Sequence, residues 1–285
     1  MNVRPVTISA AHRTGIHTGV SRVSLAGLIV MSTFGLLALL APFLAPTAPN
    51  TLSAPLQPPG SAHRLGTDDI GRDILTQLLY GARTSLFIAA LSTLLSSLLG
   101  LLVGLIAGVF DRLGFVLLRV ADVFLAIPRF PLIILMAAFL RPGLPTLVLF
   151  FVIFGWPRAA RMVRAQVLSE RHRAYIGAAK ALGASHTRII VRHLMPGTLP
   201  ILTAFAVMEV QHVILAESGL SFLGLGDPTI RSWGLLLSNA FRFPTTFITD
   251  QWVWWALPPG LCITLVILAL TAVSFALLDN AAFVS

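Results

Sequence analysis

Two ionisable side chains lie one helical turn apart within an apolar stretch of the C-terminal half. Glu209 and His212 have the i, i+3 spacing that places both on one helix face, and Glu217 follows near the end of the stretch. Inside a membrane such groups are costly and usually functional. Three interpretations stay open: Glu209 and His212 pair with each other in a helix bundle, they belong to a solute path, or they bind a metal ion. The metal site is the least favoured, because two side chains are too few ligands.

Several other chemistries are excluded by residue type. Lys180 is the only lysine, and it lies between Ala179 and Ala181, whereas a phosphate-binding P-loop needs Gly-Lys followed by Ser or Thr. We therefore predict no ATPase site in this chain. The single cysteine, Cys262, excludes an internal disulfide and a zinc cluster built from cysteines.

The elements that carry these residues are predicted to be membrane helices. The chain has 285 residues, of which 56% are apolar and 11% charged, and its mean hydropathy is +0.87. Soluble domains have about 25% charged residues. A membrane span needs about 20 apolar helical residues, and the sequence contains six candidates: Val23–Leu44, Thr84–Phe110, Phe115–Leu140, Leu144–Pro157, Leu199–Phe222 and Val253–Leu278. The predicted fold class is all-α and polytopic, with six transmembrane helices.

The positions of the basic residues predict the orientation. With the N-terminus inside the cell, 14 of the 20 Lys and Arg residues lie in inner segments, where such residues concentrate. We predict that both termini are cytoplasmic. Basic residues between apolar runs are typical of membrane-protein loops, so nucleic-acid binding is not expected.

Three shorter patterns predict local structure. Gly100, Gly104 and Gly108 form a small-residue ridge, which favours close helix packing over a pore lining. The acidic stretch at residues 67–73 lacks the spacing of a calcium loop and predicts a capped helix start. Three tryptophans predict an interfacial aromatic belt at the start of the last span: Trp252, Trp254 and Trp255.

The basic inner segment 158–196 predicts a helix-turn-helix. A short helix over 174–182 is followed by Gly183 in a turn or C-cap position, and a second amphipathic helix is expected to end before Pro196. Three consecutive small residues would leave one face of the first helix nearly flat: Gly177, Ala178 and Ala179. A charged loop can simply reflect membrane orientation, but a flat face also suits a docked protein.

This segment resembles the cytoplasmic EAA loop of ATP-binding-cassette importer permeases. Ala178, Ala179 and Gly183 match that pattern, while Gly177 replaces its glutamate. Three further stretches are similar to the peptide and nickel permease family, in its second-permease type: HRLGTDDIGRDILTQLLYGARTSL from His63, ADVFLAIP from Ala121 and AESGLSFLGLG from Ala216. The C-terminal tail, LLDNAAFVS, departs from the family pattern.

The resemblance implies a permease subunit of a binding-protein-dependent, ATP-driven importer in a bacterial cytoplasmic membrane. Its implied partners are a homologous second permease, two ATPase subunits that hold ATP and Mg and contact the EAA loop, and an extracytoplasmic solute-binding protein. The chain itself would bind no cofactor. The implied organisation is a cytoplasmic segment (1–22), a first span (23–44), an external loop (45–83) and a permease core (84–285) that contains the coupling loop.

Di- or oligopeptides are the leading solute class, and nickel or a nickel chelate is the alternative within the family. From other classes, an ion-coupled secondary transporter and a membrane-embedded enzyme remain open. The sequence lacks the internal inverted repeats of the first and the polar catalytic cluster of the second.

Overall fold

A computed structural model of the protein describes residues 22–48, 50–140 and 143–284. The predicted N-terminal segment lies outside the described residues, except for the backbone of Arg22. The regular structure of the described part is helical, with one isolated antiparallel bridge between Thr67 and Asp73. The elements are α1 (Arg22–Leu44), α2 (Ile74–Val109), α3 (Asp111–Ala126), α4 (Arg129–Phe139), α5 (Leu144–Glu170), α6 (Ala174–Ala181), α7 (His186–Ile189), a π-helical segment (Ile190–Leu194), α8 (Met195–Phe222), α9 (Trp233–Arg242), α10 (Gln251–Trp255) and α11 (Leu257–Val284).

The all-α polytopic prediction is confirmed. Five of the described helices are long and apolar enough to span a membrane, and a bent pair of helices raises the number to six if the pair forms one span. That pair is α3 and α4, which meet at an angle of 80°. The predicted third span, Phe115–Leu140, is thus divided into two helices instead of forming one continuous helix. The break precedes Pro128, where Ile127 has φ −89° and ψ 132°, because a residue before proline is disfavoured in helical conformation.

Helices α2 and α5 share the most extensive helix–helix contact among the described residues. A Cβ atom added to Gly104 would lie 2.6 Å from the Cβ of Val163, and one added to Gly108 would lie 2.5 Å from a methyl carbon of Val167. Glycine removes the side chains that would otherwise hold the two backbones apart. The ridge on α2 is thus a helix-packing surface, as the sequence favoured.

Two predicted span boundaries differ from those observed. Helix α2 begins at Ile74, ten residues before Thr84, because Asp73 caps it and accepts a 2.7 Å hydrogen bond from the Thr76 amide. Helix α5 continues past Pro157 to Glu170 instead of ending at the proline. Within a membrane bundle, neighbouring helices allow proline inside a helix, so a proline does not reliably predict where a membrane helix ends.

The predicted external loop is an irregular segment held by its own hydrogen bonds. Asp68 is buried and accepts hydrogen bonds from the amides of Ile70 and Arg72 and from the Gln77 side chain. His63 lies 2.9 Å from the carboxylate of Asp73, which confirms the capped helix start. These carboxylates therefore organise the entry into α2.

The tryptophans near the last span are only partly interfacial. Trp255 is 1% exposed, and its ring centroid lies 5.6 Å from that of Phe243 in a tilted arrangement, so its assignment to an aromatic belt was wrong. Trp252 is 41% exposed, as expected for a residue at a membrane surface. Helix α11 begins at Leu257 and packs against α1, where Gly27 lies close to the backbone of Ala269.

Candidate functional site: an exposed hairpin and a buried polar pair

The predicted helix-turn-helix is present as α6 and α7, which we call the α6–α7 hairpin (residues 174–189). Gly183 has φ +81°, a conformation that side chains with a Cβ rarely adopt. The amide of Ala184 donates a 3.0 Å hydrogen bond to the carbonyl of Ala179 and closes the end of α6. Ser185 then caps α7 by accepting a hydrogen bond from the amide of Arg188. The turn predicted at Gly183 is confirmed.

One side of the hairpin packs on the bundle and the other is open. Ile176 is fully buried, whereas nothing lies within 4 Å of a Cβ added to Gly177. Ala178 is exposed, Ala179 is half-buried and Leu182 is 89% exposed. The small residues therefore form a flat, uncovered face next to a large apolar side chain.

Polar contacts at the end of α5 hold the hairpin in place. Tyr175 donates a 2.5 Å hydrogen bond to Glu170, a carboxylate that is 6% exposed. This hydrogen bond raises the pKa of Tyr175 above its usual value, because it favours the protonated phenol. Arg171 contacts the Asp111 carboxylate at 2.9 Å and the Gly108 carbonyl at 3.1 Å, both at the α2–α3 junction. Tyr175 thus ties the hairpin to α5, and Arg171 fixes the end of α5 to the junction of α2 and α3.

The second helix of the hairpin does not end before Pro196, which corrects the sequence prediction. The chain forms one helix of 37 residues from His186 to Phe222. Its π-helical segment, Ile190–Leu194, ends two residues before the proline. Proline has no amide hydrogen to donate, and a local change of hydrogen-bond register accommodates it without breaking the helix. The second helix of the hairpin and the span that contains Glu209 and His212 therefore form one continuous helix.

Glu209 pairs with an arginine and not with His212. An Nη2 atom of Arg129, the first residue of α4, lies 2.5 Å from the Glu209 carboxylate, whose side chain is 2% exposed. His212 is exposed, and its Nδ1 donates a 2.7 Å hydrogen bond to the carbonyl of Met208. The expected Glu209–His212 pair was wrong. The missed partner carried a visible signal, since Arg129 is a charge inside a predicted span.

Glu217 belongs to a second buried polar cluster, apart from the Arg129–Glu209 pair. It is 1% exposed and accepts hydrogen bonds from Ser85 on α2 at 3.1 Å and from Ser221 at 2.8 Å. Helix α8 ends nearby with Gly224 at φ +79°. This arrangement joins α2 to the end of α8, and it does not bring Glu217 to Glu209 or His212. Within the part of the chain that the structure describes, no three His, Cys, Asp or Glu side chains are grouped so that they could hold a metal ion.

Known proteins share this sequence and architecture. Residues 96–282 match the family described as the inner membrane component of binding-protein-dependent transport systems. A proposed peptide transport system permease protein of Brucella suis is 38% identical over 256 residues, which cover 89% of this chain and 85% of that protein. The dipeptide transport system permease protein DppC of Bacillus subtilis is 33% identical over 263 residues, covering 91% of this chain and 81% of that protein.

A solved structure of an inward-facing MetNI methionine ABC transporter contains a chain of similar fold. The TM-score is 0.57 and the identity is 20%, and the match covers 74% of this chain and 98% of that chain. At this identity the likeness concerns the fold alone.

Proposed function

The chain belongs to the family of inner membrane components of binding-protein-dependent transport systems, and we propose that it forms part of the solute path of an ATP-driven importer of di- or oligopeptides. The names of its relatives from Brucella and Bacillus support the solute class. The chain is a membrane permease subunit, and in this proposal ATP and Mg are bound by partner subunits.

The continuous helix from His186 to Phe222 is the observation that carries the proposal. One of its ends belongs to the exposed hairpin, and its middle contains Glu209. A force applied to the hairpin by a docked ATPase would move the whole helix, because a continuous helix transmits displacement along its axis. ATP binding would then favour one of two states of the bundle.

The proposed complex contains this chain, a homologous second permease, two ATPase subunits and an extracytoplasmic solute-binding protein. It lies in a bacterial cytoplasmic membrane with the hairpin and both chain termini inside. The flat face at Gly177 and Ala178, and the exposed Leu182 beside it, provide a surface for the ATPase. Gly183 and Pro196 shape the turn and the passage into α8.

Reconstitution tests the function. The complete transporter in liposomes should take up labelled di- and tripeptides when ATP and the binding protein are supplied, and the purified chain alone should release no phosphate from ATP. Radioactive nickel should not accumulate. ATP turnover by the pure chain, or nickel uptake without peptide uptake, would overturn the proposal.

Cysteine labelling tests the orientation. In a Cys262→Ala background, cysteines at the exposed positions Ser61 and Thr229 should react with an impermeant thiol reagent in intact cells. A cysteine at Ser185, in the hairpin, should react only after permeabilisation. Reaction at Ser185 in intact cells would place the hairpin on the outer side and reverse the orientation.

A further inference from the structure

A cavity lies beside the buried ion pair, between the break that precedes α4 and the middle of α8. Its volume is about 490 Å³, within the range of about 300 to 1,000 Å³ typical of small-molecule sites. The lining is apolar except for Arg129, Arg158 and His212. These three residues come from α4, α5 and α8, so the cavity is formed by tertiary packing.

The charges around the cavity do not balance. Glu209 neutralises Arg129, but no described residue forms a hydrogen bond or an ion pair with Arg158, which lies on α5 directly after Pro157, where the basic inner segment begins. The Nη1 atom of Arg129 is buried and also has no hydrogen-bond partner. An arginine that has no partner and lines a cavity in a membrane bundle is a candidate binding residue. The guanidinium groups of Arg129 and Arg158 therefore have N–H donors that can bind an acceptor in the cavity.

A carboxylate is the acceptor that best suits a guanidinium, whose parallel N–H groups can bind both oxygen atoms. Resting on the proposed function, we propose that Arg158, assisted by Arg129 and His212, binds the C-terminal carboxylate of the peptide as it passes this cavity. His212 would donate from its Nε2 atom when the imidazole is protonated, because its Nδ1 hydrogen is already donated to Met208 and only the imidazolium carries a second N–H group.

The proposal assigns a positioning function to Glu209. Glu209 lies on the helix that continues into the hairpin, and its carboxylate holds the side chain of Arg129 at the start of α4. Movement of α8 would thus shift Arg129 relative to Arg158, which lies on α5. The affinity of the cavity for a carboxylate would then differ between the two states of the transporter, as the release of a carried solute requires.

Uptake of trialanine and of trialanine amide by the reconstituted complete transporter tests the proposal. The uptake rate of trialanine is divided by that of trialanine amide. This ratio is then divided by the ratio of the two peptides' affinities for the isolated binding protein, which corrects for the binding protein's own preference for one of the two peptides. Arg158→Gln should lower the corrected ratio about tenfold, equivalent to about 1.4 kcal/mol, and Arg158→Lys should retain most of it.

Arg161→Gln is the matched control. Arg161 lies three residues further along α5, outside the cavity, where it pairs with Asp122 on the surface. An unchanged ratio in Arg158→Gln, or an equal loss in Arg161→Gln, would overturn the carboxylate site. The double variant Arg129→Gln with Glu209→Gln removes the pair without leaving one buried charge, and it should also lower the ratio. A wild-type complex that takes up neither peptide would overturn the proposed function, and with it the peptide as the occupant.

Discussion

Two surfaces of this protein are rich in glycine and alanine, and they have opposite surroundings. On the α2 ridge (Gly100, Gly104 and Gly108), an added Cβ would collide with α5, whose Val163 and Val167 lie directly opposite. On the α6–α7 hairpin, nothing lies within 4 Å of an added Cβ at Gly177 or Gly183. Small residues allow contact within the chain in the first region. In the second, they leave a face that the chain itself does not cover.

A pattern of small residues therefore predicts that another element can approach the helix closely, but it does not identify that element. On α2 the approaching element is another helix of the same chain, and the contact stabilises the fold. On the hairpin it would be a separate protein, and the contact would couple ATP hydrolysis to transport. Substitutions that add bulk should therefore separate the two surfaces by their effects on folding and on assembly.

The largest effect is expected for Gly104→Leu. The new side chain would overlap Val163 and the carbonyl of Ala160, so α2 and α5 must separate. We expect a loss of about 3 kcal/mol in the free energy of unfolding, which is the upper range for overpacking. Denaturation of the purified chain in detergent measures the change.

Gly35→Leu on α1 is the control for this variant, because nothing lies within 4 Å of an added Cβ there. Its free energy of unfolding should remain within about 0.5 kcal/mol of the wild-type value, as for most surface substitutions. Equal losses in the two variants would contradict the assignment of Gly104 to a packing surface.

An intermediate effect is expected for Gly183→Val. Valine at φ +81° costs about 1 to 2 kcal/mol locally, and this strain would distort the turn between α6 and α7. The bundle should remain folded, while transport falls by at least about fivefold at nearly unchanged ATP hydrolysis, as a cost of 1 kcal/mol would give. Parallel measurement of both rates in liposomes detects this uncoupling. Transport at the wild-type rate would show that the turn geometry is not needed for coupling.

The smallest effect on the isolated chain is expected for Gly177→Leu. The site is open, so the free energy of unfolding should stay within about 0.5 kcal/mol of wild type. Binding of the ATPase subunits should nevertheless weaken about tenfold, because the added side chain would hold the partner away from the flat face. Affinity measured in detergent gives the comparison with Gly104→Leu, and unchanged affinity would mean that the ATPase docks elsewhere.

Local features were predicted well, and long-range consequences of proline were not. The cap at Asp73 and the turn at Gly183 depend on hydrogen bonds between residues that are close in the chain. Such local features can be predicted from the residue types in a short stretch of sequence. Pro128, Pro157 and Pro196 behave differently from one another. The chain bends before the first and continues as helix through the others, because packing and a shift of hydrogen-bond register decide whether a helix survives a proline.

Composition and the length of the apolar runs were enough to predict that this protein is helical and membrane-embedded, because they establish which segments prefer lipid. Four short motifs were enough to predict the family. The partners of the buried charges, by contrast, depend on how the helices pack. Glu209 lies 80 positions from Arg129 in the chain and 2.5 Å from it in space, whereas His212, three positions from Glu209, donates a hydrogen bond to the carbonyl of Met208 in the same helix. A helix face brings i and i+3 residues near each other, but an arginine with a full charge is the stronger partner for a buried carboxylate, and only packing could deliver it.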